Sequence, residues 1–184
     1  MASVLVPLAE GCEELEAVTV IDLLRRAGAE VVCAGLKPGP VRASRGTVLL
    51  PETTLEEVAG RKFDLIVLPG GQPGTDHLAA EPLLLTLLQE AVADGRRVAA
   101  ICAAPKVLAI AGLLDGRRVT AYPGALEKCK VRGFMRIDAT VVEDGPVITS
   151  MGPGTAMDFA LHLIEVLYDE HKRIEVEGPL CRPE

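Results

Sequence analysis

The sequence predicts a three-layer α/β sandwich of the flavodoxin-like kind, a mostly parallel sheet with helices on both faces, in a single domain over residues 1–184. Short runs such as Leu65–Leu68 are apolar throughout, as in strands covered on both faces. Segments of helical period separate these runs, the alternation that builds parallel βαβ units. No Pro/Gly/Ser-rich linker divides the chain.

In chain order, residues 3–8 read as a buried strand broken by Gly11, and residues 13–27 as a helix through Leu15, Val18, Ile21 and Leu24, stopped at Gly28. A second strand is expected at 30–34, and a hairpin-like extended segment at 40–50. Residues 65–68 form a strand ending at Pro69-Gly70-Gly71, followed by a helix over 82–93 and a strand over 98–101. The next helix opens at Pro105, a favoured first-turn position, and fades at Gly112. Residues 119–122 read as a strand, 139–150 as a hairpin turning at Asp144-Gly145, and 153–168 as a final helix with Phe159, Ala160, Leu163 and Ile164 on one face.

Composition removes whole classes of function. The 184 residues are 49% hydrophobic, so a core can form without disulfides or a structural metal. With 26 acidic against 19 basic residues, 3% aromatics and no tryptophan, there is neither a basic footprint nor a stacking platform for nucleic acid. No uncharged stretch of about 18 apolar residues offers a membrane span, and the opening residues do not read as a signal peptide. Five scattered cysteines without a C-x-x-C pair suit reduced thiols in the cytoplasm. No pair of histidines or cysteines has metal-ligand spacing, so no metal is expected.

Ligands of open parallel sheets bind beyond the carboxyl ends of the strands, and three unusual segments fall there. They are Glu10-Gly11-Cys12-Glu13-Glu14-Leu15-Glu16, Leu68-Pro69-Gly70-Gly71-Gln72-Pro73-Gly74 and Ala100-Ile101-Cys102-Ala103-Ala104-Pro105. Cys102 stands where a strand turns into a helix, an A-x-C-x-A version of the nucleophile elbow, and a helix N-terminus favours thiolate. A small buried hydrophobe would fit the same position. Gly70-Gly71 suits an anion nest or oxyanion hole, or simply a tight strand exit. Glu16 shares a helical face with Val20 and Leu23 and so points inward, whereas Glu13 and Glu14 read as complements to the helix dipole. His162 pairs by helical spacing with Asp158 and Glu165, His171 falls in a solvated charged stretch, and His77 is close enough to the diglycine loop to line a cleft.

At these residues the chain resembles the ThiJ/PfpI superfamily, most closely its parkinsonism-associated protein deglycase branch. The resemblance runs through the Glu10–Glu16 segment, Arg25-Arg26-Ala27-Gly28, Ser44-Arg45, Leu68-Pro69-Gly70-Gly71, Ala99-Ala100-Ile101-Cys102-Ala103 and Ser150-Met151-Gly152-Pro153-Gly154-Thr155. It implies Cys102 as nucleophile with Glu16 hydrogen-bonded to it, the N–H groups of Gly71 and Ala103 as an oxyanion site, and Gly70, Tyr122, Gly152 and Arg45 as possible lining. It further implies a cytosolic homodimer without a cofactor, acting on small α-oxoaldehydes such as methylglyoxal or glyoxal, or on glycated protein side chains, and releasing lactate or glycolate. Oxidation sensing through Cys102 and redox-regulated chaperoning are the alternatives. Ala103 replaces the histidine of peptidase-like relatives, so no Cys-His dyad supports a peptidase. Tyr122 replaces a histidine common in the nearest branch, and Gln72 and Met151 replace the usual Asn and Arg.

Overall fold

A computed structural model describes residues 1–127, 129 and 133–182. The chain runs β1 (Ser3–Leu8), α1 (Glu14–Arg26), β2 (Glu30–Gly35), β3 (Val41–Arg42), β4 (Val48–Leu49), β5 (Thr53–Thr54) and α2 (Leu55–Val58). It continues with β6 (Leu65–Leu68), α3 (Gly74–Ala79), α4 (Pro82–Ala93), β7 (Arg97–Ile101), α5 (Pro105–Ile110), β8 (Arg118–Val119) and β9 (Met135–Arg136). The last elements are β10 (Val141–Asp144), β11 (Val147–Ser150), α6 (Ala156–Leu167) and α7 (Glu170–Glu177).

Seven strands form one sheet in the order β10-β11-β7-β6-β1-β2-β5, parallel except where β10 turns back on β11. Because strand side chains alternate between faces, β1 sends Val4, Val6 and Leu8 to one layer and Leu5 to the other. The first layer holds Leu24 of α1, Phe159 and Ile164 of α6, and Val176 of α7. The second is built from α2, α3, α4 and α5 through Leu55, Leu78, Leu88 and Leu108. This is the predicted mostly parallel sandwich.

Most predicted elements are present, but the strand expected at 119–122 stops at Val119, and β8 pairs only with β9 in a separate small sheet. The N–H groups beyond it are diverted: Thr120 donates to Thr149 Oγ1 (3.0 Å), and Tyr122 donates to the Cys102 carbonyl (2.8 Å). The charged stretch around His171 is a helix, α7, started by Asp169 accepting from Lys172 N–H (2.8 Å). His162 pairs with Glu143 of β10 (2.9 Å) rather than with Asp158 and Glu165, which are occupied by Arg182 and Arg173. Among the described residues no helix is long and apolar enough to cross a membrane.

Candidate active site

The site is assembled from the carboxyl ends of β1, β6 and β7. β7 ends at Ile101 and α5 begins at Pro105, so the chain reverses within three residues. Cys102 makes that reversal with φ of 64°, the left-handed region that a side chain disfavours by about 1–3 kcal/mol. Two hydrogen bonds hold it there: its N–H donates to the Ser150 carbonyl (3.0 Å), and its carbonyl accepts from Tyr122 N–H (2.8 Å). Ala100 and Ala104 are fully buried on either side. Cys102 as a residue is 9% exposed, so it is shielded but not sealed.

Glu16 projects from the inner face of α1 and is fully buried. Its Oε2 accepts from Gly70 N–H (2.8 Å), Oε1 has no hydrogen-bond partner among the described residues, and the carboxyl is coupled to the Cys102 thiol. Gly70 must be glycine: a Cβ there would lie 2.7 Å from Cys102 Cβ and 2.8 Å from Glu16 Oε2. Gly71, at φ of 91°, turns the next peptide so that its N–H, with that of Ala103, acts on the Cys102 sulfur.

Electrostatically the thiol and the acid form one unit. Burial pushes the Glu16 carboxyl up to about 7, against the Gly70 N–H and the Cys102 thiol, which favour its charged form. Burial, then the charge of Glu16 and its hydrogen bond, pushes the Cys102 thiol up to about 12, against the Ala103 and Gly71 N–H groups. The thiolate expected from a helix N-terminus is thus not favoured while Glu16 is ionised. Protonating Glu16 removes its charge and turns a competing acceptor into a donor, leaving the two amides opposed only by burial.

Of the expected lining residues, Gly70 lies against both Cys102 and Glu16, whereas Tyr122 and Gly152 pack against each other. A Cβ on Gly152 would lie 3.3 Å from Tyr122 Cδ2, so the ring packs directly over that backbone, half-exposed. Arg45 joins through its main chain: its N–H donates to Glu14 (3.1 Å), and its side chain is exposed. Glu13 and Glu14 do more than complement a dipole. Glu13 accepts from Ser44 Oγ (2.7 Å), and Glu14 accepts from Arg45 and Thr47 N–H, which ties the β3–β4 loop to the start of α1. Ser150, part of the segment that carries the resemblance, meets Cys102 through its main-chain carbonyl, to which side-chain identity gives no clue. Cys12 and Cys33 are buried with thiols pushed up to about 11, Cys129 is half-buried and Cys181 exposed. Among the described residues no group of three or more His, Cys, Asp or Glu could hold a metal ion.

Comparison with known proteins gives this geometry its context. The DJ-1/PfpI family model matches residues 2–166. Protein dj-1beta of Drosophila melanogaster is 46% identical over 176 residues, covering 95% of this chain and 94% of that protein. The Caenorhabditis elegans protein named glutathione-independent glyoxalase DJR-1.2 is 38% identical over 172 residues, covering 94% and 91%. The structure of oxidized Toxoplasma gondii DJ-1 superposes with a TM-score of 0.95 at 39% identity, covering both chains completely. The chain belongs to the DJ-1/PfpI family.

Proposed function

We propose that the protein is a cofactor-independent, cysteine-dependent enzyme of the glyoxalase or deglycase type, acting on methylglyoxal, glyoxal or their early thiol, amine and guanidine adducts. The observation that carries this reading is Cys102 on its strained turn beside a buried carboxyl whose pKa is raised to about 7. The glyoxalase name of a relative 38% identical supports the substrate class.

In this mechanism the reactive form has Glu16 protonated and Cys102 ionised. The sulfur adds to the aldehyde carbon, and the oxygen that becomes negative is met by the N–H groups of Gly71 and Ala103. Glu16 gives its proton to that oxygen, which completes a hemithioacetal. The resulting carboxylate takes the proton from the former aldehyde carbon and returns it to the adjacent carbon, while the hemithioacetal hydroxyl gives up its proton and the former ketone oxygen takes one up through the same carboxyl, so the ketone becomes an alcohol as the aldehyde becomes a thioester. Water cleaves the thioester, releasing lactate from methylglyoxal or glycolate from glyoxal and restoring the thiol. Cys102→Ser should abolish lactate formation from methylglyoxal, and Glu16→Gln should slow it by about 10²–10⁴-fold. Lactate release at the wild-type rate by Cys102→Ser would overturn the proposal.

A second reading, oxidation sensing, rests on the same amides, which would hold a sulfinate. Two equivalents of peroxide would each transfer one oxygen to the sulfur and leave as water, giving sulfenate and then sulfinate. Rapid addition of two oxygens at Cys102 alone, by mass spectrometry, with negligible lactate turnover favours this reading. A homodimer in the cytoplasm completes the proposal. Leu15 and Val18 on α1 are exposed, as are Val48 and Leu50 after Thr47, whose N–H Glu14 holds, and together they offer apolar surface suited to a second copy. Sedimentation of the wild type as a dimer, and of Val18→Glu as a monomer, is the expected result.

A further inference from the structure

β1 lies between β2 and β6, and the helix that follows β1 packs on one face of the sheet while those that follow β6 pack on the other. Open α/β sheets take their ligands at such a switch point, beyond the strand ends. Here backbone fills the middle of that crevice. A Cβ on Gly11 would lie 2.4 Å from Pro73 Cδ, and Glu13 N–H donates to the Gly70 carbonyl (2.9 Å). Cys102 and Glu16 occupy the β7 side. Toward β2, another cleft of about 380 Å³ is floored by Leu36 and Val41 and edged by Glu10, Lys37, His77 and Glu81.

We infer that this cleft binds a small zwitterion with an apolar side chain, of the chemical class of a free amino acid the size of leucine. Its two carboxylates are held in place: Glu10 Oε1 accepts from Arg42 N–H (3.1 Å), and Glu81 Oε1 accepts from Leu83 N–H (3.1 Å). Among the described residues neither carboxylate forms an ion pair, nor does Lys37. The ring of His77 is fixed by a contact from Nδ1 to the Glu10 carbonyl (2.9 Å). A carbonyl only accepts, so Nδ1 carries the hydrogen of that contact. The cleft therefore offers acceptors for an ammonium group, one cation for a carboxylate, and an apolar floor. A simple anion would meet two carboxylates, and a simple cation would leave Lys37 unanswered. The volume falls within the range of small-molecule sites, roughly 300–1,000 Å³.

Isothermal titration of the full chain with L-leucine tests this, with 3-methylbutylamine and 4-methylpentanoate as probes that each keep one charge. Leucine should bind saturably at one site per chain, and either probe about tenfold more weakly. Lys37→Ala and Glu81→Gln, the latter retaining the cap on Leu83 N–H, should each weaken leucine about tenfold, and leucine should shift the His77 ring resonances. Absence of saturable leucine binding, equal affinity for the single-charge probes, or undiminished affinity in both variants overturns the inference. Because neither substitution touches Cys102 or Glu16, these outcomes are separable from the fate of the thiol mechanism.

Discussion

Gly70 leaves the thiol and the acid their only approach to one another. Gly70→Ala inserts a methyl 2.7 Å from Cys102 Cβ, and the strand-end turn cannot retreat because the Gly70 carbonyl is bonded to Glu13 N–H. The expected result is a loss of about 1–3 kcal/mol in urea unfolding, with alkylation of Cys102 slowed below pH 7, where a protonated Glu16 donates to the sulfur, as the acid is pushed away. A second prediction concerns how the pair shares its proton. Wild-type alkylation by iodoacetamide should show an inflection near pH 7, where the Glu16 proton titrates, and Glu16→Gln should lack it. Both groups were legible in the sequence, Cys102 from small residues around a strand-to-helix turn and Glu16 from the buried face it shares with Val20. The balance of forces on the sulfur was not. A helix N-terminus argues for thiolate, but α5 has only six residues, and burial outweighs it.

Elements were legible in proportion to their periodicity. α4 reads directly from its apolar spacing, and the β10–β11 hairpin from alternation around Asp144-Gly145. α7 was missed because it buries little beyond Val176; Asp169 capping and the pairs of Arg173 with Glu170 and Glu177 hold it instead. The segment after Val119 was over-read because Thr-Ala-Tyr has strand propensity, yet its N–H groups serve Thr149 and Cys102. The β3–β4 loop depends on one acid. Glu14→Ala should cost about 1 kcal/mol and speed amide exchange at Arg45 and Thr47, measured by hydrogen–deuterium exchange. Unchanged protection at both amides would show that the loop holds itself.

Over the whole molecule, pH sensitivity should centre on Glu16. Its folded-state pKa of about 7 stands above the ordinary carboxyl value of 4.5, so the folded protein holds a proton that the unfolded chain releases between those values. That stability is fully present below pH 4.5 and lost as pH rises through 7, by about 3 kcal/mol. Denaturant midpoints should decline across this window in the wild type and stay level in Glu16→Gln. Glu14 has the opposite sign: its carboxyl is held down to about 2 by backbone and Thr47 hydrogen bonds, so its contribution fades only as the solution is acidified below 4.5. The layered architecture was legible because uninterrupted apolar strands admit few other arrangements, whereas the pairing of distant acids and amides that sets this titration is not encoded in any local pattern. The two main-chain bonds of Cys102 have one more consequence. They stitch the knuckle to Ser150 on one side and Tyr122 on the other, so the polypeptide there is clamped whatever is attached to the sulfur. News of a modified thiol must then travel through side chains and solvent, and derivatised forms should retain an almost unaltered trace of the chain.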